Sequence, residues 1–148
     1  MSLLRIDVAR DINPATLPPP ARGAHPNLDA FNEATRMSDA ELVSALRDLL
    51  GAELVAYLGT VKETGGVRQW AEGSRAIANP TDKERLRIAY RAARMISERD
   101  SPAVAQAWFQ GLNPILDDIS PARALHDGDL DAEGPRVLGA ARQFAAVG

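Results

Sequence analysis

Apolar residues first fall into a helical rhythm after Ser38. Ser38-Asp39-Ala40-Glu41 has the form of a capping box, in which the serine hydroxyl accepts from a free backbone N–H and the glutamate reaches back. Leu42, Leu46, Leu49 and Leu50 then share one face and Gly51 stops the run, which predicts a helix over 38–50. A short helix carrying Leu54, Val55 and Leu58 follows and ends around Gly59. Thr60 to Gly66 is poor in residues that propagate a helix and predicts a turn, and another short helix runs from Val67 to Glu72, closed by Gly73. Asn79-Pro80-Thr81-Asp82-Lys83-Glu84 opens the longest helix, about 82–99, along which Leu86, Ala89, Tyr90, Ala93 and Ile96 recur at helical spacing. Ser101-Pro102, Asn113-Pro114 and Ser120-Pro121 each place a cap residue before a proline whose missing N–H costs nothing at the first helical position. All three predict helix starts, the latter two short because Gly128 soon ends the run from Pro121. A last helix over 134–146 sets Val137, Leu138, Ala141, Phe144 and Ala145 on one buried stripe. No period-two alternation and no internal repeat interrupts this order, so the fold class is all-α.

Before Ser38 the pattern is different. Pro14, Pro18, Pro19, Pro20 and Pro26, with Gly23 among them, predict an extended arm over 1–37. The remainder divides into a helical domain over 38–99 and a smaller helical module over 100–148. With 148 residues the two units are expected to share one core. Aromatics make up only 5% of the chain, so that core has to be built from Ala, Leu, Val and Ile, and the alanines of the second half favour closely packed helices. No apolar run approaches membrane-spanning length, and Arg5, Asp7, Arg10 and Asp11 interrupt the N-terminal apolar residues as a secretory signal would not tolerate, which places the protein in the cytoplasm. The absence of cysteine excludes disulfides, thiolate metal sites and thiol nucleophiles.

Charge is unevenly distributed. From Lys62 to Arg99 nine Lys/Arg face five acids, whereas after Ser101 three arginines face six acids, a reversal expected if the two halves meet different partners. Solvated helix faces would produce the same asymmetry. Arg87, Arg91 and Arg94 form one stripe on the long helix, suited to phosphates or an acidic partner, or else a solvated face balanced by Glu84 and Glu98. Catalytic chemistry finds no foothold. His25 and His126 are far apart with no third ligand at metal spacing; Asp117 and Asp118, being adjacent, diverge on a helix; and Gly65-Gly66 lacks the strand and the Lys-Ser/Thr of a phosphate loop. No enzyme and no cofactor are expected.

The segment Leu54-Val55-Ala56-Tyr57-Leu58-Gly59, a turn, then Val67-Arg68-Gln69-Trp70-Ala71-Glu72-Gly73 resembles the helix-turn-helix of Xre-type regulators. Such a unit needs apolar residues where its helices cross, a glycine where the chain reverses and polar residues on the outward face of the second helix. Val55, Leu58, Gly59, Val67 and Trp70 fit the first roles; Lys62, Arg68, Gln69 and Arg75 are the candidate DNA contacts. Trp70 is expected in the core rather than as a base-stacking platform. The spacing from Gly59 to Trp70 exceeds the usual Xre spacing by about two residues, with Gly65-Gly66 where a recognition helix would begin, so the turn is looser.

A second resemblance covers about residues 40–147. Ala105-Gln106-Ala107-Trp108-Phe109-Gln110-Gly111-Leu112-Asn113-Pro114-Ile115-Leu116, then Ser120-Pro121-Ala122-Arg123-Ala124-Leu125, Gly128, Arg136-Val137-Leu138 and Ala141, resembles the toxin-binding domain of the Xre/MbcA/ParS-like antitoxins; Trp70, Gly73, Pro80, Leu86 and Tyr90 extend the match upstream. What this resemblance implies is a homodimeric antitoxin with a helix-turn-helix-like N-terminal bundle and a small C-terminal toxin-binding module. It would neutralise a RES-domain toxin that degrades NAD by covering that enzyme's active-site entrance, and would repress its own operon on operator DNA. Carried to this sequence, the toxin surface falls on the last helix and tail, at Arg136, Arg142, Gln143, Phe144 and Gly148. A solitary DNA-binding transcriptional regulator without a toxin partner is the alternative.

Overall fold

Eight α-helices and one 3-10 turn follow one another in the computed structural model, which describes residues 26–147. They are α1 (Pro26–Arg36), α2 (Asp39–Leu50), α3 (Ala52–Leu58), α4 (Thr64–Glu72), α5 (Pro80–Arg99), α6 (Pro102–Gln110), the 3-10 turn (Pro114–Leu116), α7 (Pro121–Asp127) and α8 (Leu130–Val147). No strand is formed among the described residues; a single antiparallel bridge joins Asn113 to Ile119. The all-α expectation is met, and no helix is long and apolar enough to cross a membrane among the described residues.

The helix starts owe their positions to the side chains that the sequence pattern singled out. Ser38 accepts from the Glu41 N–H while Glu41 accepts from the Ser38 N–H, so both halves of the capping box are present. Asn79 accepts from the N–H groups of Thr81 and Asp82 ahead of Pro80, and Ser101 and Ser120 do the same for α6 and α7. Gly73, at φ +80°, closes α4 in the left-handed conformation.

Three expectations are corrected. The extended arm does not reach residue 37: Pro26–Arg36 is helical, with Ala30 and Ala34 buried against α5, because Pro26 sits at a first helical position and these two small residues share a face. The rest of the arm, including Pro14, Pro18, Pro19, Pro20, Gly23 and His25, lies outside the described residues, as does Gly148. Asn113-Pro114 opens only a 3-10 turn, because Asp117 and Asp118 both adopt left-handed backbone conformations (φ +60° and +63°) and cannot continue a helix. The two aspartates are therefore not on a helix at all. The last helix begins at Leu130, four residues before its expected start, and holds Pro135 in its interior. The lost N–H would have bonded the Asp131 carbonyl, and both residues lie on an exposed face, where the loss is least costly because solvent can replace the missing donor.

One hydrophobic cluster runs through the described residues, from Ala34 to Ala145, with no break at residues 99–100. Its axis is α5, against which α1, α2, α6 and α8 pack. Helix α5 is correspondingly buried almost all round, at Leu86, Ile88, Ala89, Tyr90, Ala92, Ala93, Met95 and Ile96. On this same helix Arg85, only 8% exposed, is the one buried charged residue among those described. Its guanidinium donates to the carbonyls of Leu58 (3.1 Å) and Leu125 (2.9 Å) and to the Asp82 carboxylate (2.7 Å). The donor set of one arginine thus satisfies the ends of α3 and α7, whose last carbonyls have no intrahelical partner.

Asp39 ties the start of α2 to the loop before α5 and to α5 itself. Its carboxylate accepts from the Ile77 N–H (3.0 Å) and pairs with Lys83 (2.9 Å). Burial by itself would raise its pKa, but hydrogen bonds from Lys83 and Ile77 and the charges of Lys83 and Arg87 outweigh burial and hold the carboxyl below the usual value of 3.8. A depressed folded-state pKa stabilises the fold above the unfolded value and ceases to do so as pH falls through the folded one. The Asp39→Asn variant is therefore expected to be less stable than wild type at neutral pH, with the difference in urea midpoint narrowing below about pH 4. A difference that stayed constant down to pH 2 would show that the charge of Asp39 is immaterial.

Candidate partner groove and basic cleft

Trp70 governs the local architecture between α3 and α4. It is buried, as are Val55, Leu58, Gly59 and Val67, and a Cβ on Gly59 would lie 2.7 Å from its ring. Helix α4 begins at Thr64, three residues earlier than expected, so that Gly65-Gly66 forms its first turn instead of the preceding loop. Glycine suits that position. A Cβ on Gly66 would meet the Arg75 guanidinium at 3.1 Å and the Val61 side chain at 3.4 Å.

Of the four candidate DNA contacts, three converge. Lys62, Gln69 and Arg75 line one open cleft of about 520 Å³ together with Thr60, Val61, Glu63, Gly65 and Gly66. Arg75 lies over the Trp70 ring at 5.6 Å from its centroid and donates to the Gln69 side chain at 3.5 Å. Arg68 is exposed but does not line the cleft; its neighbour in sequence, Gln69, projects about 100° away from it around the helix. Glu63 stands inside the same cleft and offsets part of its positive charge.

The arginine stripe of α5 is neither a free basic face nor simply solvated, because α1 lies across it. Glu33 pairs with Arg94 at 2.9 Å and Arg94 also pairs with Glu98; the Phe31 ring sits 5.0 Å over the Arg91 guanidinium; Arg87 approaches Glu84 at 3.8 Å. Burial, together with the like charge of Arg142 and against the attraction of Glu84, pulls the Arg91 pKa below its ordinary value.

At the other end of the molecule the C-terminal candidates separate. Gln143 and Phe144 line a groove of about 420 Å³ with Trp108, Leu112, Asn113, Pro114, Ile115, Ala140 and Val147. Phe144 does not belong to the buried stripe of α8: it is 37% exposed and faces Trp108, ring centroids 6.4 Å apart, while Val137, Leu138, Ala141 and Ala145 fill the core. Arg136 does not line the groove and is spent on structure, donating to the Ile115 carbonyl (3.1 Å) and pairing with Asp117 (3.0 Å) and Glu133 (3.2 Å), with which it lines a separate pocket. The Asp117 hydrogen bond and the charge of Glu133 raise the Arg136 pKa further. Arg142, one residue before Gln143, turns toward the Arg91 side of α8 and is not part of the groove.

Three groove residues carry most of its exposed apolar surface and were not among the expected contacts: Leu112 is 76% exposed and Val147 84%, with Ile115 also exposed. Their periodicity held no signal for this. Leu112 lies just after α6 and Val147 in the last turn of α8, so their exposure follows from how these ends meet. His126 also found an unforeseen place, stacked on Tyr57 at 4.1 Å between ring centroids and bonded to Asp127 at 2.6 Å. No family model, curated protein or solved structure matches the chain.

Proposed function

We propose that this chain is an antitoxin that docks onto and occludes a RES-domain, NAD-degrading toxin, acting as a homodimer and by coverage rather than catalysis. The observation that carries the reading is the groove at the end of α8, where Leu112, Ile115, Phe144 and Val147 leave contiguous apolar surface in contact with solvent. Apolar patches of this kind, rimmed by polar residues, mark protein interaction sites. The groove also falls in the segment whose residues resemble the toxin-binding domain, and it contains two of the residues that the resemblance implicates, Gln143 and Phe144.

The test is co-expression with a RES-domain protein of the native host. Wild type should copurify with it and restore cellular NAD. The double variant Phe144→Ser, Val147→Ser should bind at least roughly tenfold more weakly, since anchors at the centre of an interface dominate its energy. Its melting curve should fall only modestly, since Val147 is 84% exposed and Phe144, 37% exposed, gives up only its contact with Trp108 at the rim of the core. Undiminished capture by this variant would end the assignment of the groove, and absence of any complex with wild type would end the antitoxin reading.

The second reading, a DNA-binding regulator without a toxin, is favoured by one observation, the convergence of Lys62, Gln69 and Arg75 on one cleft. It predicts salt-dependent binding to the chain's own promoter DNA, and an affinity about tenfold lower for Lys62→Ala, Gln69→Ala. Equal, weak binding by both proteins would remove it.

A further inference from the structure

We propose that α1 is a latch: it lifts from α5 as a unit while α2 to α8 stay folded, and in lifting it uncovers a cationic face of α5 that the closed chain hides. Neither a toxin nor DNA is needed for this to hold. The apolar anchorage of α1, which packs chiefly on α5, is slight. Ala30 and Ala34 are buried, whereas Leu28 is 55% and Phe31 46% exposed. Two methyl groups bury too little surface to offset the ordering of an eleven-residue helix that is too short to be stable by itself. Polar contacts to α5 add to them: Glu33 pairs with Arg94 at 2.9 Å, the Tyr90 hydroxyl donates to Glu33 at 3.5 Å, and the Phe31 ring lies over Arg91. Departure of α1 leaves its neighbour in sequence intact. Only Met37 and Ser38 separate the two helices, and the start of α2 is closed by its own capping box, Ser38 with Glu41. Met37, packed against the core, fixes the point about which α1 would swing.

What α1 covers is charged. Arg87, Arg91 and Arg94 lie along one side of α5, and Arg142 of α8 is near enough to Arg91 for its like charge to act there. Glu84 and Glu98 of α5 and Glu33 of α1 stand against these four arginines. Lifting α1 takes away Glu33 and the Phe31 ring together, which leaves four arginines against two glutamates and uncovers Tyr90, only 3% exposed in the closed chain. The chain thereby has two surface states of different charge. Glu33 is the bolt, because its carboxylate reaches both Arg94 and Tyr90. With the Glu33 side chain 32% exposed, the pair with Arg94 is open enough to solvent for dissolved salt to weaken it. Sub-global opening of this kind is drawn from elements with few buried apolar contacts, and α1 is such an element.

The experiment is native-state hydrogen exchange on the isotope-labelled full chain, read residue by residue. Amides of α1 from Ala30 to Arg36 are expected to exchange at least about a hundredfold faster than those of α5 from Leu86 to Ile96. Glu33→Gln should speed α1 about threefold, the effect of one partly exposed ion pair, and leave α5 unchanged. Raising sodium chloride from about 0.05 to about 0.5 M should speed wild-type α1 by a similar factor and do little more in Glu33→Gln. Lifting is told from fraying by nitration of Tyr90 with tetranitromethane, with the exposed Tyr57 as reference. In Ala30→Gly, which weakens α1 without touching a charge, α1 exchange and Tyr90 nitration should rise together by about fivefold. Exchange of α1 at the rate of α5 would mean that it opens only when the whole molecule unfolds, and would overturn the inference. So would an α1 rate indifferent to Glu33→Gln, an α5 that quickens along with α1, or faster α1 exchange in Ala30→Gly with Tyr90 as protected as before.

Discussion

Replacing Arg85 by methionine is expected to destabilise the protein by about 3–5 kcal/mol, the largest effect of any single substitution considered for this chain. Methionine fills much of the same volume, so the loss comes from polar groups and not from a cavity. Three acceptors lose their donor at once: the Leu58 carbonyl, the Leu125 carbonyl and the Asp82 carboxylate, the first two bonded within the core. An unsatisfied buried carbonyl costs about 1–3 kcal/mol, and the stranded carboxylate adds to it. For a chain of this size the melting temperature should drop by roughly 10–20 °C. Arg85→Lys, with a single ammonium that reaches some but not all of the three acceptors, should fall between the two. A loss of less than about 1 kcal/mol of unfolding free energy in Arg85→Met, read from urea titration, would mean that water replaces the guanidinium and that the buried position is incidental.

The second large effect is expected at Gly59. A methyl group there would lie 2.7 and 2.9 Å from two atoms of the Trp70 ring and 3.2 Å from the Val55 carbonyl. Neither a fused ring nor a helix carbonyl yields as the tip of a flexible side chain does, so Gly59→Ala should cost about 1–3 kcal/mol through overpacking. The cause can be isolated with a double-mutant cycle. Trp70→Leu opens space at the same point, and although it destabilises on its own, combining it with Gly59→Ala should cost at least about 1 kcal/mol less than the sum of the two single changes. Strict additivity would show that the penalty at Gly59 arises from the backbone and not from the ring. If the cleft at Lys62 does bind DNA, the same substitution should weaken that binding, because Trp70 also carries the Arg75 guanidinium on its face.

The helix starts were legible because capping is local chemistry. Ser38, Asn79, Ser101 and Ser120 each accept from an N–H two or three residues ahead, and nothing distant is needed to place them. Helix α1 was concealed for the same reason in reverse: its buried side chains among the described residues are Ala30 and Ala34, too small to stand out among prolines, and an ion pair to Arg94 on α5 and a ring over Arg91 help to secure it. The reversal at 117–118 was equally out of reach, since aspartate is unremarkable in a helix until its backbone turns left-handed and Arg136 arrives from α8 to hold it. As for the site, Gln143 and Phe144 followed from resemblance, whereas Leu112 and Val147 owe their exposure to the meeting of two chain segments, which no spacing encodes. Arg85 presents the same difficulty. Nothing on α5 distinguishes it from Arg87 except which side of the helix the ends of α3 and α7 happen to approach.

That approach ties together two short helices separated by more than sixty residues of chain, α3 at 52–58 and α7 at 121–127. Each is too short to hold its own geometry in water. Joined through a single guanidinium and stacked through Tyr57 and His126, they lean on one another, so that whatever frees one from Arg85 leaves the other without its partner as well.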